Sequence, residues 1–269
     1  MKKTIWHKFS IIYVAVLTLL TYVPILLTVV YSFNESKLST VWAGFSWKWY
    51  MELFRDRDMW EALRNSLILA CLSCLGAVLI GTTGALGMHG RKAKTDEVIS
   101  SLSLLPIMIP EIILGMVFLA VFSLMNLPFG MVTLVLAHTT FCVPYVFSMV
   151  KARLVGMDKA LREAALDLGA TPIRVFFDVT LPLIMPAVLS GVLLSFAMSF
   201  DDVVISIFVT GPTVNTLPIK IYTKMKTGVT PEINALATIM LVITALLLFG
   251  AAFINKVGVK REIKNGGKT

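Results

Sequence analysis

The chain has 269 residues, 57% of them hydrophobic and only 15% charged, with a formal net charge of +8 and a mean hydropathy of +0.83. A soluble domain carries roughly 25% charge, so this composition argues against a water-soluble enzyme and for a chain lying mostly in lipid, where charge is expensive. The positive balance then reflects basic residues gathered in cytoplasmic loops rather than a nucleic-acid partner.

A spanning helix needs roughly 20 mostly apolar residues, and six stretches qualify: 9–33, 62–88, 98–125, 129–150, 183–208 and 233–257. The expected fold is therefore an all-α membrane protein with six transmembrane helices in a single domain over 1–269. The first stretch follows Met1-Lys2-Lys3 but is too long for a signal-peptide core and lacks a small-x-small cleavage site, so it reads as an uncleaved span. The outer loop from Asn34 to Glu61 is rich in aromatics, including Trp42, Phe45, Trp47 and Trp60, which favour the membrane–water boundary. Asp58 and Glu61 stand at capping-box spacing before the second span.

Within the second span, Gly81, Gly84 and Gly87 would let a neighbouring helix approach closely. Cys71 and Cys74 form a C-x-x-C on one helix face with no second ligand pair, so with Cys142 they read as packing residues. The third span carries Pro106 and Pro110, which predict a kink. The fourth follows within a few residues as its antiparallel partner, and His138 and Tyr145 in it read as packing or pore-lining groups. Of the 24 Lys and Arg, 16 fall in segments that are cytoplasmic if the N-terminus is inside and 8 in the outer ones. This bias places both termini in the cytoplasm.

Three acids interrupt the apolar spans: Glu111 in the third, and Asp201 and Asp202 in the fifth. Each costs about 2.5–3.5 kcal/mol at a helix centre, so each is a candidate for a cavity or a partner. At 1.5 Å per residue they lie roughly 20 and 27 Å from the cytoplasmic ends of their spans, in the outer half of the membrane. Clustered carboxylates at low dielectric attract cations, which makes Asp201, Asp202 and Glu111 candidate substrate-path residues for a cationic solute. The residues alone leave a second role open, in which one aspartate pairs with a buried cation or caps a broken helix.

The cytoplasmic segment 151–182 carries the most specific local pattern. Asp158 is a plausible N-cap, Leu161, Ala165 and Leu168 share a helical face, and Gly169 stops the helix. Thr171-Pro172 starts a second helix, which Leu181-Pro182 ends. Helix–Gly–helix also suits a DNA-binding unit, but this one is tied to membrane spans at both ends. Beyond the fifth span, Leu217, Ile221 and Met225 share one face of a short outer helix and Lys220 and Lys224 another, with Gly228 as its stop. That helix suits either a delivery protein or a lipid surface.

Glu163-Ala164-Ala165, then Gly169, then Val179-Thr180-Leu181-Pro182 resembles the coupling loop of ABC importer permeases, with Val179 in place of the usual Ile. The stretches Ser199-Phe200-Asp201-Asp202-Val203-Val204 and Phe208-Val209-Thr210-Gly211-Pro212 are similar to the spermidine/putrescine permeases, in particular the second permease subunit. The resemblance implies the type I importer architecture and a homologous second permease. It also implies two copies of a cytoplasmic ATPase and an extracytoplasmic polyamine-binding protein, in a bacterial inner membrane. By position it makes Glu163, Ala164, Ala165 and Gly169 the ATPase-coupling residues. The chain has no phosphate cradle of its own: Gly267-Lys268-Thr269 lacks the first P-loop glycine, where Glu262 stands. No cofactor or metal is expected in this chain, and ATP and Mg²⁺ would be bound by the partner. Two other readings stay open on the residues alone: an ABC permease for another solute, and an ion-coupled carrier acting by itself.

Overall fold

The computed structural model describes residues 2–37, 41–89, 94–228, 230–243 and 245. It divides into two compact units, Met1–Arg57 with Thr223–Thr269, and Asp58–Tyr222. The helices are α1 (Lys2–Tyr31), α2 (Lys48–Arg55), α3 (Arg57–Met88), α4 (Lys94–Ser103), α5 (Leu105–Met108), α6 (Glu111–Leu124), α7 (Met131–Val155), α8 (Lys159–Asp167) and α9 (Pro172–Val175). A π-helical turn (Phe176–Thr180) leads into α10 (Leu181–Asp201), followed by α11 (Val204–Val209) and α12 (Leu217–Thr227). The last described helix is α13 (Pro231–Ile243).

Among the described residues, four helical stretches are long and apolar enough to cross a membrane: Phe9–Tyr31, Arg57–Met88, Met131–Val155 and Pro172–Asp201. The third expected span is instead three pieces, because Pro110 drives Ile109 into an extended conformation (φ −78°, ψ 131°) and α6 restarts after it. Of the sixth, the structure describes α13, while residues 244 and 246–257 lie outside the described residues, as do 91–93 and the C-terminal Gly267-Lys268-Thr269.

In the first unit α1 is almost wholly apolar from Phe9 to Tyr31 and exposed from Phe9 to Leu27. Thr18, Thr21 and Thr28 donate back to their own turn (to the Val14, Leu17 and Pro24 carbonyls), so these three hydroxyls need no outside partner. The loop after it is fixed by Asn34. The Asn34 carbonyl accepts from Trp49 Nε1 at 2.6 Å, while its side chain donates to the Val41 carbonyl and accepts from the Ala43 N–H. Phe33 stacks on Phe45 at 5.1 Å, with Trp47 edge-on to both rings. Lys224 holds Asp56 at 2.9 Å and Glu232 at 2.6 Å. Burial of its ammonium opposes the charge, but the two hydrogen-bonded carboxylates outweigh it and hold the Lys224 pKa above the ordinary lysine value.

The second unit is built round α7, which packs against α10, α11, α6, α5 and α4. Leu134, Ala137, Phe141, Val146 and Val150 of α7 meet Leu69 and Ala77 of α3 and Ile184 and Val188 of α10 in one buried core. Gly81 and Gly191 let their helices approach the α7 backbone closely. A Cβ at Gly81 would stand 3.0 Å from the Phe147 nitrogen, and one at Gly191 3.2 Å from the Val146 Cα. Gly81 thus does what the small-residue row in α3 implies, whereas Gly87 has nothing within 4 Å.

Three local expectations change. The second span starts at Arg57 rather than 62, so Asp58 lies inside its first turn and pairs with Lys220 at 3.0 Å instead of forming a capping box. Leu181-Pro182 does not end the second cytoplasmic helix. Pro182 has no N–H and its ring would strike the preceding turn, and the wide π turn over 176–180 absorbs that fault, so the helix runs on into the span. In α12 it is Leu217 and Ile219 that are buried, while Met225 is exposed and both lysines are engaged by acids.

Candidate translocation site and coupling loop

The acids of the apolar spans divide by environment. Glu111 is the first residue of α6 and is exposed. Asp201 is the last residue of α10 and is also exposed, immediately after Phe200, whose ring stacks on Phe196. Asp202 turns inward, its side chain only 6% exposed. The chain unwinds at this residue (φ −68°, ψ 125°). Its two oxygens accept from the backbone N–H groups of Ile205 at 3.2 Å and Ser206 at 2.8 Å, so the aspartate caps α11.

Asp202 is also the end of a buried polar chain. Ser206 Oγ lies 2.8 Å from Asp202 Oδ2, and His138 Nε2 lies 3.0 Å from Ser206 Oγ and 3.4 Å from Asp202 Oδ2. On the other side of the ring, His138 Nδ1 is 2.8 Å from Ser199 Oγ, which is 3.0 Å from Ser73 Oγ. His138, Ser73 and Ser206 are fully buried. Sequence reasoning named Asp202 and His138 separately and passed over the serines. The available signal was a polar residue placed mid-helix in each of α3, α7 and α10, with Ser206 one turn beyond Asp202.

The cytoplasmic segment has the expected caps. Asp158 accepts from the Ala160 N–H at 2.9 Å, Thr171 from the Arg174 N–H at 3.4 Å, and Gly169 takes φ +86°, which favours glycine. Glu163, Ala164 and Gly169 are exposed and Ala165 is half-buried. Beside them stand unshielded apolar side chains: Leu168 is 88% exposed and Ile173 72%. Elsewhere in the second unit, Asp58, Glu61, Asn65, Asn215 and Lys220 line a small polar cleft of about 200 Å³.

Residues 77–263 match the family described as binding-protein-dependent transport system inner membrane component. The chain belongs to this family. It is a multi-pass membrane permease of a binding-protein-dependent transport system. Its relatives include the putrescine transport system permease protein PotI of Escherichia coli K12, 42% identical over 91% of this chain and 89% of that one. The spermidine/putrescine transport system permease protein PotC of Haemophilus influenzae is 39% identical over 87% and 91%. A chain of a bacterial ABC transporter involved in import of the acidic polysaccharide alginate has the same fold, with a TM-score of 0.75 at 12% identity over 94% of this chain and 96% of that one. The MetNI methionine transporter matches with a TM-score of 0.62 at 20% identity over 75% and 98%. The helical architecture is thus that of ABC importer permeases.

Proposed function

We propose that this chain is one permease subunit of an ATP-driven importer for the polyamines spermidine and putrescine. The observation that carries the reading is its 42% identity, over nine-tenths of its length, to a permease named for putrescine. The two exposed acids, Glu111 and Asp201, supply what a di- or tri-cationic substrate requires of a low-dielectric path: fixed opposite charge. Asp202 adjoins Asp201 in the chain.

The full assembly in this reading pairs the chain with a homologous permease, two copies of a cytoplasmic ATPase that bind ATP and Mg²⁺, and an extracytoplasmic polyamine-binding protein. The chain forms one permease domain of the type I architecture, with six spans and both termini in the cytoplasm. The binding protein releases substrate into a cavity between the permeases, where Glu111 and Asp201 offset the ammonium charges and Phe200 adds cation–π attraction. Closure of the ATPase dimer moves the segment around Glu163, Ala164, Ala165 and Gly169, and the spans rock between outward- and inward-open states. A carboxylate on an otherwise small-residue surface suits close docking with pairing to an arginine.

Labelled spermidine and putrescine uptake tests this in a strain lacking its own polyamine importers and expressing the chain with its partner genes. ATP-dependent uptake is expected, lost in Glu163→Ala and reduced at least about tenfold in Asp201→Asn. An assembled complex that hydrolyses ATP but takes up neither polyamine would overturn the cargo. Uptake without the ATPase would overturn the importer.

A further inference from the structure

The hydrogens of the buried chain through α3, α7, α10 and α11 can be counted. Ser73 Oγ lies 2.5 Å from the Leu69 carbonyl, which can only accept, so the Ser73 hydrogen goes there. Ser199 must therefore donate across its 3.0 Å contact with Ser73. Its only hydrogen is then used, and the 2.8 Å contact between Ser199 Oγ and His138 Nδ1 takes its hydrogen from the ring. At the other end, opposite an ionised Asp202 the Ser206 hydroxyl donates to Oδ2, and the 3.0 Å contact between Ser206 Oγ and His138 Nε2 then also takes its hydrogen from the ring. Both nitrogens of the imidazole donate, and the ring carries a positive charge.

The matching negative charge is present. Asp202 accepts two backbone N–H groups and the Ser206 hydroxyl, an arrangement that favours a carboxylate over an acid. Its Oδ2 lies 3.4 Å from His138 Nε2. Neither charge could be buried here alone, and together they cancel.

We infer that His138 is a charged positioning residue that neutralises Asp202, so that Asp202 shapes the break between α10 and α11 and, of the adjacent acids, only Asp201 offers its charge to a cationic substrate. The two acids are consecutive, and capping of α11 by Asp202 fixes the direction in which the chain leaves Asp201. The role assigned to Asp201 rests on the polyamine reading, whereas the charge on His138 does not.

The test uses the complete transporter reconstituted in lipid, with labelled putrescine as the probe. Asp202→Asn and His138→Gln alone each leave a buried charge or an unmatched donor, and each is expected to lower maximal uptake at least about tenfold. The double variant Asp202→Asn with His138→Gln restores neutrality, and uptake is expected to return to within about threefold of the parent with KM unchanged. A double variant as inactive as Asp202→Asn would overturn the inference, since a carboxylate needed to bind substrate is not made dispensable by removing the imidazole that faces it. Nitrogen NMR of histidine-labelled complex in the same lipid gives a second readout that needs neither transport nor a viable variant complex beyond the parent. His138 is assigned against the His138→Gln spectrum, or by selective labelling where that variant does not assemble. Two protonated ring nitrogens support the inference and one bare nitrogen overturns it, whichever solute the transporter carries.

Discussion

Two breaks among the described membrane helices, α5/α6 and α10/α11, have the same backbone shape but different causes. Between α5 and α6, Ile109 and Pro110 are extended, with ψ near 131° and 134°. Between α10 and α11, Asp202 is extended with ψ 125°, and no proline is near. The first break is made by covalent structure: the ring of Pro110 denies Ile109 the helical region. The second is made by partners, because Asp202 gives up helical geometry to accept the Ile205 and Ser206 N–H groups and to meet His138. A proline break leaves its neighbouring acid, Glu111, free to face outward. A break held by a carboxylate consumes that carboxylate, so the exposed acid at the second break is the residue before it, Asp201.

The largest effect should fall on the break that needs partners. Asp202→Ala leaves His138 buried beside no counter-charge and uncaps α11, and is expected to cost about 3–5 kcal/mol of stability. Asp201→Ala, on an exposed side chain, should change stability by less than about 0.5 kcal/mol. Thermal unfolding of the purified complex compares the two, and equal losses would erase the distinction. Next comes Pro110→Ala. An alanine is favoured over proline in a helix interior by about 3 kcal/mol, so α5 and α6 are expected to join. Spin labels at 107 and 113 would then sit on one helix, with backbones about 9 Å apart along its axis. A break that persists without the proline would mean that it too is held by tertiary contacts.

What the sequence disclosed follows the same division. Features set by a residue and its immediate neighbours were legible: the proline break, the caps at Asp158 and Thr171, the stop at Gly169, and the apolar length of four spans. The continuity of the second cytoplasmic helix into the fifth span was not, because Pro182 normally signals an end and a π turn here accommodates it. Nor was the separation of Asp201 from Asp202. Adjacent acids in an apolar span look equivalent until the fold brings His138 from α7, 64 positions away in the chain, against one of them. Likewise the helix that carries Lys220 and Lys224 read as suited to a delivery protein or a lipid surface, whereas Asp58 and Asp56, far away in the chain, engage the two lysines.

A smaller effect is expected where a cap is purely local. Asp158→Ala removes the acceptor for the Ala160 N–H at the exposed start of α8, at a cost of about 1 kcal/mol. The loss should appear as faster amide exchange in residues 159–167 with no change elsewhere in the chain. Spread of the effect into α10 would show that the coupling segment and the span form one cooperative unit, contrary to the glycine hinge at Gly169.

The smallest effect concerns the one polar cluster of the first unit whose energetics depend on pH in a defined direction. Lys224 is about a quarter exposed and touches Asp56 and Glu232, so replacing it by Met should cost under about 1 kcal/mol at neutral pH. Its pKa is raised in the folded protein by those two carboxylates, against the opposing effect of burial. A cation with a raised folded pKa contributes its full stabilisation below the unfolded lysine value and loses it as the pH climbs through the folded one. The parent and Lys224→Met should therefore differ by a constant amount from neutral pH up to the ordinary lysine range and converge only above it. Unfolding followed across that range in both proteins measures the gap. Convergence at acidic pH instead would mean that protonation of Asp56 and Glu232, not loss of the ammonium, governs the cluster.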